Sequence, residues 1–252
     1  REKFVPEEFW DFFVDVKDGS QSVLRAKLAK KDSKKYIPKS KKDIDEIEKV
    51  LGNSNYVVSS VKRTEKKKHA YPPFTTSTLQ QSANNVLGFS AKKTMNLAQA
   101  LYQAGYITYM RTDSVFLSNK AVKEIRELVG KEYGDKYLPF SPNFYKTRSK
   151  SAQEAHEAIR PAHFDVAKEE IESKMGGQEA KLYSLIYRRA VASQMIEKRV
   201  EAVSVELKPE DVKNPEYIFS LGAEKILFDG FRKVLGSQDR KSTRLNSSHR
   251  IR

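Results

Sequence analysis

The stretch Leu101–Ser114, LYQAGYITYMRTDS, carries the most informative chemistry in the sequence. A helical pattern leads up to it and ends at Gly105, and residues 106–110 are expected to be extended. The turn that follows carries Arg111, Thr112, Asp113 and Ser114. Arginine and hydroxyl side chains donate hydrogen bonds to phosphate, and a tyrosine can attack phosphorus when neighbours take up its proton and charge. A polar turn that caps the next helix has the same composition, so local chemistry leaves both interpretations open.

Composition narrows the class of partner. The 252 residues include 47 Lys and Arg against 33 Asp and Glu, a net charge of +14, which favours nucleic acid first and an acidic membrane surface second. The absence of Cys excludes a disulfide framework and a thiolate zinc site within this chain. No apolar run approaches the roughly 18 residues of a membrane span, so we expect no membrane partner. The first residues, REKFVPEEFW, lack Met and a signal-peptide pattern, and we expect the chain to be part of a longer protein.

Strand patterns come first, helices next and strands last, which predicts an α+β fold with a helical domain inserted into a β-rich one. The predicted β-rich domain comprises residues 1–70 and 198–236, and the predicted helical domain comprises 71–197. Within the first part, the basic run KRTEKKKH at Lys62–His69 is predicted to be a linker, and its lysines are either solvated or in contact with DNA. Residues 237–252 have no periodic apolar face and are expected to be a disordered, non-native tail, with a native disordered basic tail as the alternative.

Two short helices of the middle region are joined through Gly88, Phe89 and Ser90 and resemble a helix-turn-helix. Lys92 and Lys93 fall in the first turn of the second helix, where exposed backbone N–H groups also attract phosphate. A helical pair that only packs together would show the same pattern.

A further helix is predicted over residues 153–160 and is ended by Pro161. Its polar face would carry Gln153, His156, Glu157 and Arg160. Such a face is either a solvated surface or one wall of a charged cleft.

Three stretches together resemble the type IA DNA topoisomerases, those of bacteria in particular. They are PPFTTSTLQQ at 72–81, ITYMRTDS at 107–114 and QEAHEAIRP at 153–161, in the order of the family. The ends REKFVPEEFW and KILFDGFRKVL resemble the same proteins, so the resemblance covers roughly residues 1–235.

The resemblance implies that the helical domain is catalytic and that the β-rich domain belongs to a gate or arch. Tyr109 would cleave one DNA strand through a transient 5′-phosphotyrosyl link, and religation would relax negative supercoils without ATP. Arg111 would stabilise the phosphate, and His156 would hold it and assist cleavage. The other residues expected at DNA or phosphate are Lys92, Lys93, Thr108, Asp113, Gln153 and Arg160. Tyr106 is the competing tyrosine, which we interpret as a packing residue.

The resemblance also implies single-stranded DNA as partner, a monomer, and the bacterial cytoplasm at the nucleoid. Magnesium would be bound by a Toprim domain outside this chain, and we expect no metal ligand within the chain. Without that domain the chain is expected to bind DNA weakly and not to relax it.

Other classes remain open. A non-enzymatic helix-turn-helix module would bind DNA without using Tyr109 chemically. A tyrosine recombinase also forms phosphotyrosyl links, but its histidine normally precedes the tyrosine, whereas His156 follows Tyr109. Within the family, topoisomerase III and the topoisomerase half of reverse gyrase remain possible.

Overall fold

Two distant parts of the sequence share one sheet, and the residues between them are mostly helical. The computed structural model describes residues 8–17, 23–146, 156–212 and 214–236. The chain divides into two units: Arg1–Lys66 with Val200–Leu227, here called the sheet unit, and Lys67–Arg199 with Phe228–Arg252, the tyrosine unit. The prediction of an α+β fold is confirmed. The tail expected at 237–252 lies outside the described residues.

The sheet has the strand order β1-β2-β6-β5-β4, with β3 paired to β2. Its strands are β1 (Phe13–Lys17), β2 (Val23–Lys31), β3 (Lys34–Lys35), β4 (Tyr56–Lys68), β5 (Lys198–Pro209) and β6 (Tyr217–Phe228). The pairs β1–β2 and β2–β6 are antiparallel, and the second has an irregularity between Leu28 and Lys30.

The linker predicted at Lys62–His69 is wrong for residues 62–68, because they continue strand β4. This strand lies at an edge of the sheet, and its side chains from Ser59 to Lys68 are exposed. Charged residues are a common way for edge strands to resist pairing with other chains, so a basic run is compatible with a strand here.

One helix, α1 (Lys41–Leu51), completes the core of the sheet unit. It begins at a reciprocal capping box in which Ser40 and Asp43 bond to each other's backbone N–H, and it ends at Gly52. The buried core comprises Ala26, Leu28, Ile47, Leu51, Leu207, Tyr217 and Phe219.

The tyrosine unit contains the other helices. They are α2 (Thr76–Leu87), α3 (Ala91–Gln103), α4 (Asn119–Tyr133), α5 (Lys168–Lys174), α6 (Gly177–Ser193) and α7 (Arg232–Leu235). Ser90 and Ser118 accept hydrogen bonds from the first turns of α3 and α4, and Gly88 ends α2 with a left-handed backbone.

Helices α2, α3 and α6 enclose a core to which the functional segments are attached. Its large buried side chains include Phe74, Leu79, Leu101, Met110, Ile159 and Ile186. Four of these belong to stretches that carry the family resemblance: Phe74 and Leu79 to the first, Met110 to the second and Ile159 to the third. The core therefore fixes the backbone of all three stretches at once.

Candidate active site

The segment Ile107–Ser114, here called the tyrosine segment, alternates between buried and exposed side chains. The buried side chains are Ile107, Met110, Thr112 and Ser114, and Thr108 is partly buried. The exposed side chains are Tyr109, Arg111 and Asp113. The phenol and the guanidinium are therefore presented on the same, outer side of the segment.

The extended piece predicted at residues 106–110 is not a strand. Of these five residues, all of which the structure describes, only Ile107 forms a bridge, to Pro161. Side chains replace a strand partner. Thr76 Oγ1 donates to the carbonyl of Met110 at 2.8 Å and accepts from Thr112 N at 2.9 Å. The backbone N–H of Thr76 also donates to the carbonyl of Thr112 at 2.9 Å. The N-terminus of α2 thus holds the two residues that flank Arg111.

Residues 156–162, here called the histidine segment, are bound to the tyrosine segment through Thr108. Thr108 Oγ1 donates to the carbonyl of Ala158 at 2.7 Å and accepts from Arg160 N at 3.0 Å, and Thr108 N donates to the carbonyl of Arg160 at 2.9 Å. Tyr109 therefore follows a residue whose backbone and side chain are both fixed against the segment that begins with His156.

The helix predicted over 153–160 is wrong for residues 156–160, which form no helix. Ile159 bridges Phe74, with Ile159 N donating to the carbonyl of Phe74 at 2.8 Å, and Pro161 bridges Ile107. The histidine segment thus lies between two other segments and takes its hydrogen bonds from them. Gln153 lies outside the described residues.

Glu157 and Arg160 do not share a solvated face with His156. Glu157 Oε1 accepts from Ser118 N at 2.7 Å, and Oε2 accepts from Arg160 Nη2 at 2.6 Å. These side chains are only 25% and 13% exposed. Burial alone would raise the pKa of Glu157, but the hydrogen bonds from Ser118 and Arg160 outweigh it and hold the pKa below its ordinary value.

The guanidinium of Arg160 is largely engaged within the protein. Nη1 donates to the carbonyl of Pro161 at 2.7 Å, and Nε is buried without a hydrogen-bond partner among the described residues. The geometry thus favours a structural role in which Arg160 holds the histidine segment. Few of its N–H donors remain free for the predicted contact with phosphate.

His156 is exposed and lies at the start of the histidine segment. It is two residues from Ala158, whose N–H donates to the carbonyl of Phe116 at 2.8 Å and whose carbonyl accepts from Thr108. The fold therefore brings the backbone that carries His156 beside the one that carries Tyr109 and Arg111, although the two lie far apart in sequence.

The two candidate tyrosines have different surroundings. Tyr106 is partly buried against the core and contacts the ring of Tyr183 at 6.5 Å between centroids. The Tyr109 side chain is 43% exposed and packs edge-on against Tyr102, with 5.3 Å between ring centroids. Tyr109 can thus be approached by a substrate while one side of its ring is supported.

Several other phenols of this unit are poor candidates for a nucleophile. Burial raises the pKa of Tyr145 and of Tyr187 to about 12, and it raises that of Tyr183 as well. Because a higher pKa leaves less phenolate at neutral pH, these groups are inactivated by their surroundings.

Lys92 and Lys93 lie in the first turn of α3 as predicted, and they differ in surroundings. Lys92 is exposed, whereas the Lys93 ammonium lies 4.5 Å from the centre of the Phe89 ring. The backbone N–H of Lys93 is used by the Ser90 cap at 3.2 Å. Lys92 is consequently the freer of the two side chains for an external phosphate.

Thr76 and Glu157 were missed as site residues by the sequence analysis. Both lie in stretches that carry the family resemblance, and that membership was the available signal. Their partners, however, are backbone groups of Met110, Thr112 and Ser118, which no local pattern in the sequence indicates.

Neither a metal cluster nor a membrane-spanning helix is found in the part of the chain that the structure describes. Within 8–17, 23–146, 156–212 and 214–236, no three His, Asp or Glu side chains are grouped to hold an ion. None of the helices in these ranges combines the length and the apolar character that crossing a membrane requires.

Comparison with known proteins identifies the class. A family model described as DNA topoisomerase matches residues 1–250. The chain belongs to this family, and the type IA resemblance of its motifs is confirmed.

Particular relatives agree. DNA topoisomerase 1 of Rickettsia bellii is 42% identical over 244 residues, which are 92% of this chain and 30% of that protein. DNA topoisomerase 1 of Vibrio cholerae is 42% identical over 233 residues, covering 92% of this chain and 26% of that protein. Full-length topoisomerase I from Thermotoga maritima matches with a TM-score of 0.71 and 33% identity, over 93% of this chain and 37% of that chain. The chain thus spans a minor part of each relative's length.

Proposed function

We propose that this chain supplies the DNA-cleaving tyrosine of a bacterial type IA topoisomerase. The phenolic oxygen of Tyr109 attacks a backbone phosphorus, and the bond from that phosphorus to the 3′ oxygen of the adjoining nucleotide breaks. The products are a 5′-phosphotyrosyl link and a free 3′ hydroxyl. Attack by that hydroxyl restores the DNA and the phenol, so the cycle needs neither ATP nor a hydrolytic water and can relax negative supercoils.

The observation that carries the proposal is the exposed side of the tyrosine segment. It presents Tyr109 and Arg111 together, and Thr108 ties it to the segment that begins with His156. A phenol with an ordinary pKa near 10 is a weak nucleophile at neutral pH. A guanidinium beside the phosphate stabilises the charge that develops on the phosphate oxygens.

His156 is proposed to contact the phosphate and to assist the proton exchange. The reaction removes one proton from the phenol and delivers one to the departing 3′ oxygen, and an imidazole can exchange protons near neutral pH. Thr108 acts through the backbone that it holds. The other residues are proposed to contact the DNA farther from the cleaved phosphate: Lys92, Lys93, Asp113 and Gln153. Arg160 is proposed to contribute there only through the donor atoms that its internal hydrogen bonds leave free.

The remaining roles are divided between the rest of this chain and domains outside it. We propose that the sheet unit is part of the gate or arch, with the helical domain at residues 71–197. Mg²⁺ is proposed to bind on a Toprim domain elsewhere. Single-stranded DNA at the cleavage point, a monomeric enzyme and the bacterial cytoplasm at the nucleoid complete the proposal.

Tyr109→Phe in the full-length enzyme tests the chemistry. Removing the hydroxyl should abolish the covalent adduct, trapped with denaturant on an end-labelled single strand, while DNA binding is retained. Tyr106→Phe is the matched control. It removes the hydroxyl of a partly buried tyrosine three residues before Tyr109, and the adduct should persist. If Tyr109→Phe still forms the adduct, the nucleophile is another group.

The non-enzymatic helix-turn-helix alternative predicts that Tyr109→Phe changes nothing measurable. The present chain alone should bind DNA weakly, with an affinity that falls steeply as salt is raised, because phosphate contacts dominate. Relaxation of supercoiled plasmid by the purified chain would contradict the proposal that relaxation needs domains outside this chain.

A further inference from the structure

Two phenylalanine rings from separate segments line one cleft of the tyrosine unit. Phe116 is 49% exposed and Phe144 is 76% exposed. The cleft has about 270 Å³ of empty space including its open mouth, and its polar lining comes from Asn143, Tyr145 and Gln194. Large apolar rings gathered at one open site are unfavourable in water and commonly mark a binding surface.

The loop that carries Phe144 is held firmly by the end of α6. Asn143 Nδ2 donates to the carbonyls of Ser193 and Met195 at 2.9 and 3.0 Å, and Gln194 Nε2 donates to the carbonyl of Asn143 at 3.0 Å. The Tyr145 hydroxyl donates to the carbonyl of Ser193 at 2.9 Å. One wall of the cleft is therefore preformed, and a ligand would spend little free energy on ordering it.

The other wall is continuous with the candidate active site. Phe116 N donates to Ser114 Oγ at 3.1 Å, which anchors the ring to the end of the tyrosine segment. The Phe116 carbonyl accepts from Ala158 N in the histidine segment. A DNA strand that reached Tyr109 and continued along this backbone would meet the cleft.

We propose that the cleft binds one nucleobase of single-stranded DNA, stacked against the rings of Phe116 and Phe144. This inference rests on the proposed function, because it needs a DNA strand at Tyr109. A base has flat faces that stack on aromatic rings, and the exposed rings of Phe116 and Phe144 offer that contact. The cleft is open to solvent, so a flat base can lie against these rings without entering a closed pocket.

The charge beside the cleft agrees with a nucleic acid strand. Lys146 is exposed two residues beyond Phe144, and the whole chain carries a net charge of +14. A cation next to exposed rings is the combination by which proteins bind single strands, since the rings stack on bases and the cation contacts the backbone phosphate.

The test measures binding of this chain to a fluorescein-labelled oligothymidylate of about 12 nucleotides by anisotropy over a series of salt concentrations. Phe116→Leu and Phe144→Leu keep an apolar side chain but remove the ring, and each should weaken binding roughly fivefold or more. The slope of log affinity against log salt should stay unchanged, because no phosphate contact is lost. Lys146→Gln should instead make that slope shallower by about 0.7.

Phe140→Leu is the matched control. Phe140 belongs to the same loop and is fully exposed, but it does not line the cleft, so its replacement should leave the affinity unchanged. A strand of the same length with abasic sugars should bind the native chain and the two cleft variants equally, because the stacking partner is missing.

The outcomes separate this inference from the proposed function. If the chain binds oligothymidylate but the two cleft variants and Phe140→Leu all bind alike, the base site is wrong and the proposed function stands; the rings would then be covered by another part of the protein. If the native chain fails to bind single strands at any salt concentration, DNA binding by this chain and the base site both fail. Circular dichroism of each variant checks that the fold is retained.

Discussion

The sheet unit and the candidate active site satisfy their backbone polar groups in different ways. In the sheet unit, paired strands such as β1 and β2 satisfy one another in register from Phe13 with Lys27 to Lys17 with Val23. In the active site, isolated bridges replace strands, and the side chains of Thr76, Thr108 and Glu157 supply many of the partners. In a sheet, many residues share the task of satisfying backbone N–H and carbonyl groups. At the site, a few side chains provide many of these hydrogen bonds.

This difference determines which substitutions should be costly. A buried backbone group that loses its only side-chain partner costs about 1–3 kcal/mol, because it cannot return to water. A strand that loses one side-chain contact keeps its backbone hydrogen bonds to the neighbouring strands. We therefore expect single polar substitutions to be more destabilising around the tyrosine segment than on the sheet.

Thr108→Val should have the largest effect on stability. Valine has a similar shape but leaves the Ala158 carbonyl and Arg160 N without the Thr108 hydroxyl, at a cost of roughly 3 kcal/mol. Urea unfolding followed by helical circular dichroism measures the loss, since most helical residues lie in the tyrosine unit.

Ser59→Ala on the sheet is the control for this substitution. The Ser59 hydroxyl also donates to a carbonyl, that of Glu206 at 3.1 Å, but at an exposed position. The single tryptophan, Trp10, belongs to the sheet unit, and its fluorescence reports the unfolding of that unit. Ser59→Ala should shift the urea midpoint measured in this way only a little. Equal costs for Ser59→Ala and Thr108→Val would remove the proposed distinction.

Glu157→Gln should cost roughly 2 kcal/mol near neutral pH, because the carboxylate accepts charge-assisted hydrogen bonds at both oxygens. The pKa of Glu157 is lowered by folding, so the folded state favours the ionised form. Its stabilisation is complete above the ordinary carboxyl value of 4.5 and is lost as the pH falls through the lower folded-state pKa. The stability difference between the native chain and Glu157→Gln should therefore close in acid.

The measurement is urea unfolding at a series of pH values from about 3 to 7, spanning the ordinary carboxyl pKa. Glu170→Gln removes a carboxylate that pairs with Lys174 at 2.8 Å on an exposed part of α5, and it should show no comparable pH-dependent difference. A Glu157→Gln difference that stayed constant down to the lowest pH would show that the charge is irrelevant to the network.

The regular helices were predictable because their determinants are local. Ser40, Ser90 and Ser118 lie directly before apolar periodic runs, and each caps the helix that follows it. Such signals need only a few consecutive residues. The strand at residues 62–68 was missed because lysines seldom favour strands, and only its place at the sheet edge explains it.

The site was only partly predictable, since its connections join residues distant in the sequence. The exposure of Tyr109, Arg111 and His156 agrees with the roles that the family resemblance implied. The helical spacing of the polar residues in 153–160 was misleading, because Ile159 is buried against Phe74 through a bridge that local periodicity cannot reveal. Tertiary contacts decided the backbone there.

Helix caps should behave alike in both units, and this tests whether the difference concerns irregular segments only. Ser40→Ala and Ser90→Ala each remove a hydroxyl that accepts from a first-turn N–H at 3.2 Å. Each should cost about 1 kcal/mol, measured by urea unfolding with Trp10 fluorescence for the first and helical circular dichroism for the second. A much larger cost for Ser90→Ala would show that the whole tyrosine unit is sensitive, including its regular helices.

The smallest effect is expected for an ion pair of the sheet. Lys30 Nζ and Glu206 Oε1 lie 2.7 Å apart, almost the 2.6 Å that separates Arg160 from Glu157, but both sheet side chains are more exposed than those at the site. Lys30→Gln should cost less than about 1 kcal/mol, and the cost should shrink as salt is added, because solvent screens the pair. The measurement is the Trp10 fluorescence midpoint at low and high salt. Since the two pairs have nearly equal lengths, a cost for Lys30→Gln that matched Glu157→Gln would mean that ion-pair distance governs stability, and that the hydrogen bond from Ser118 and the burial around Glu157 contribute little.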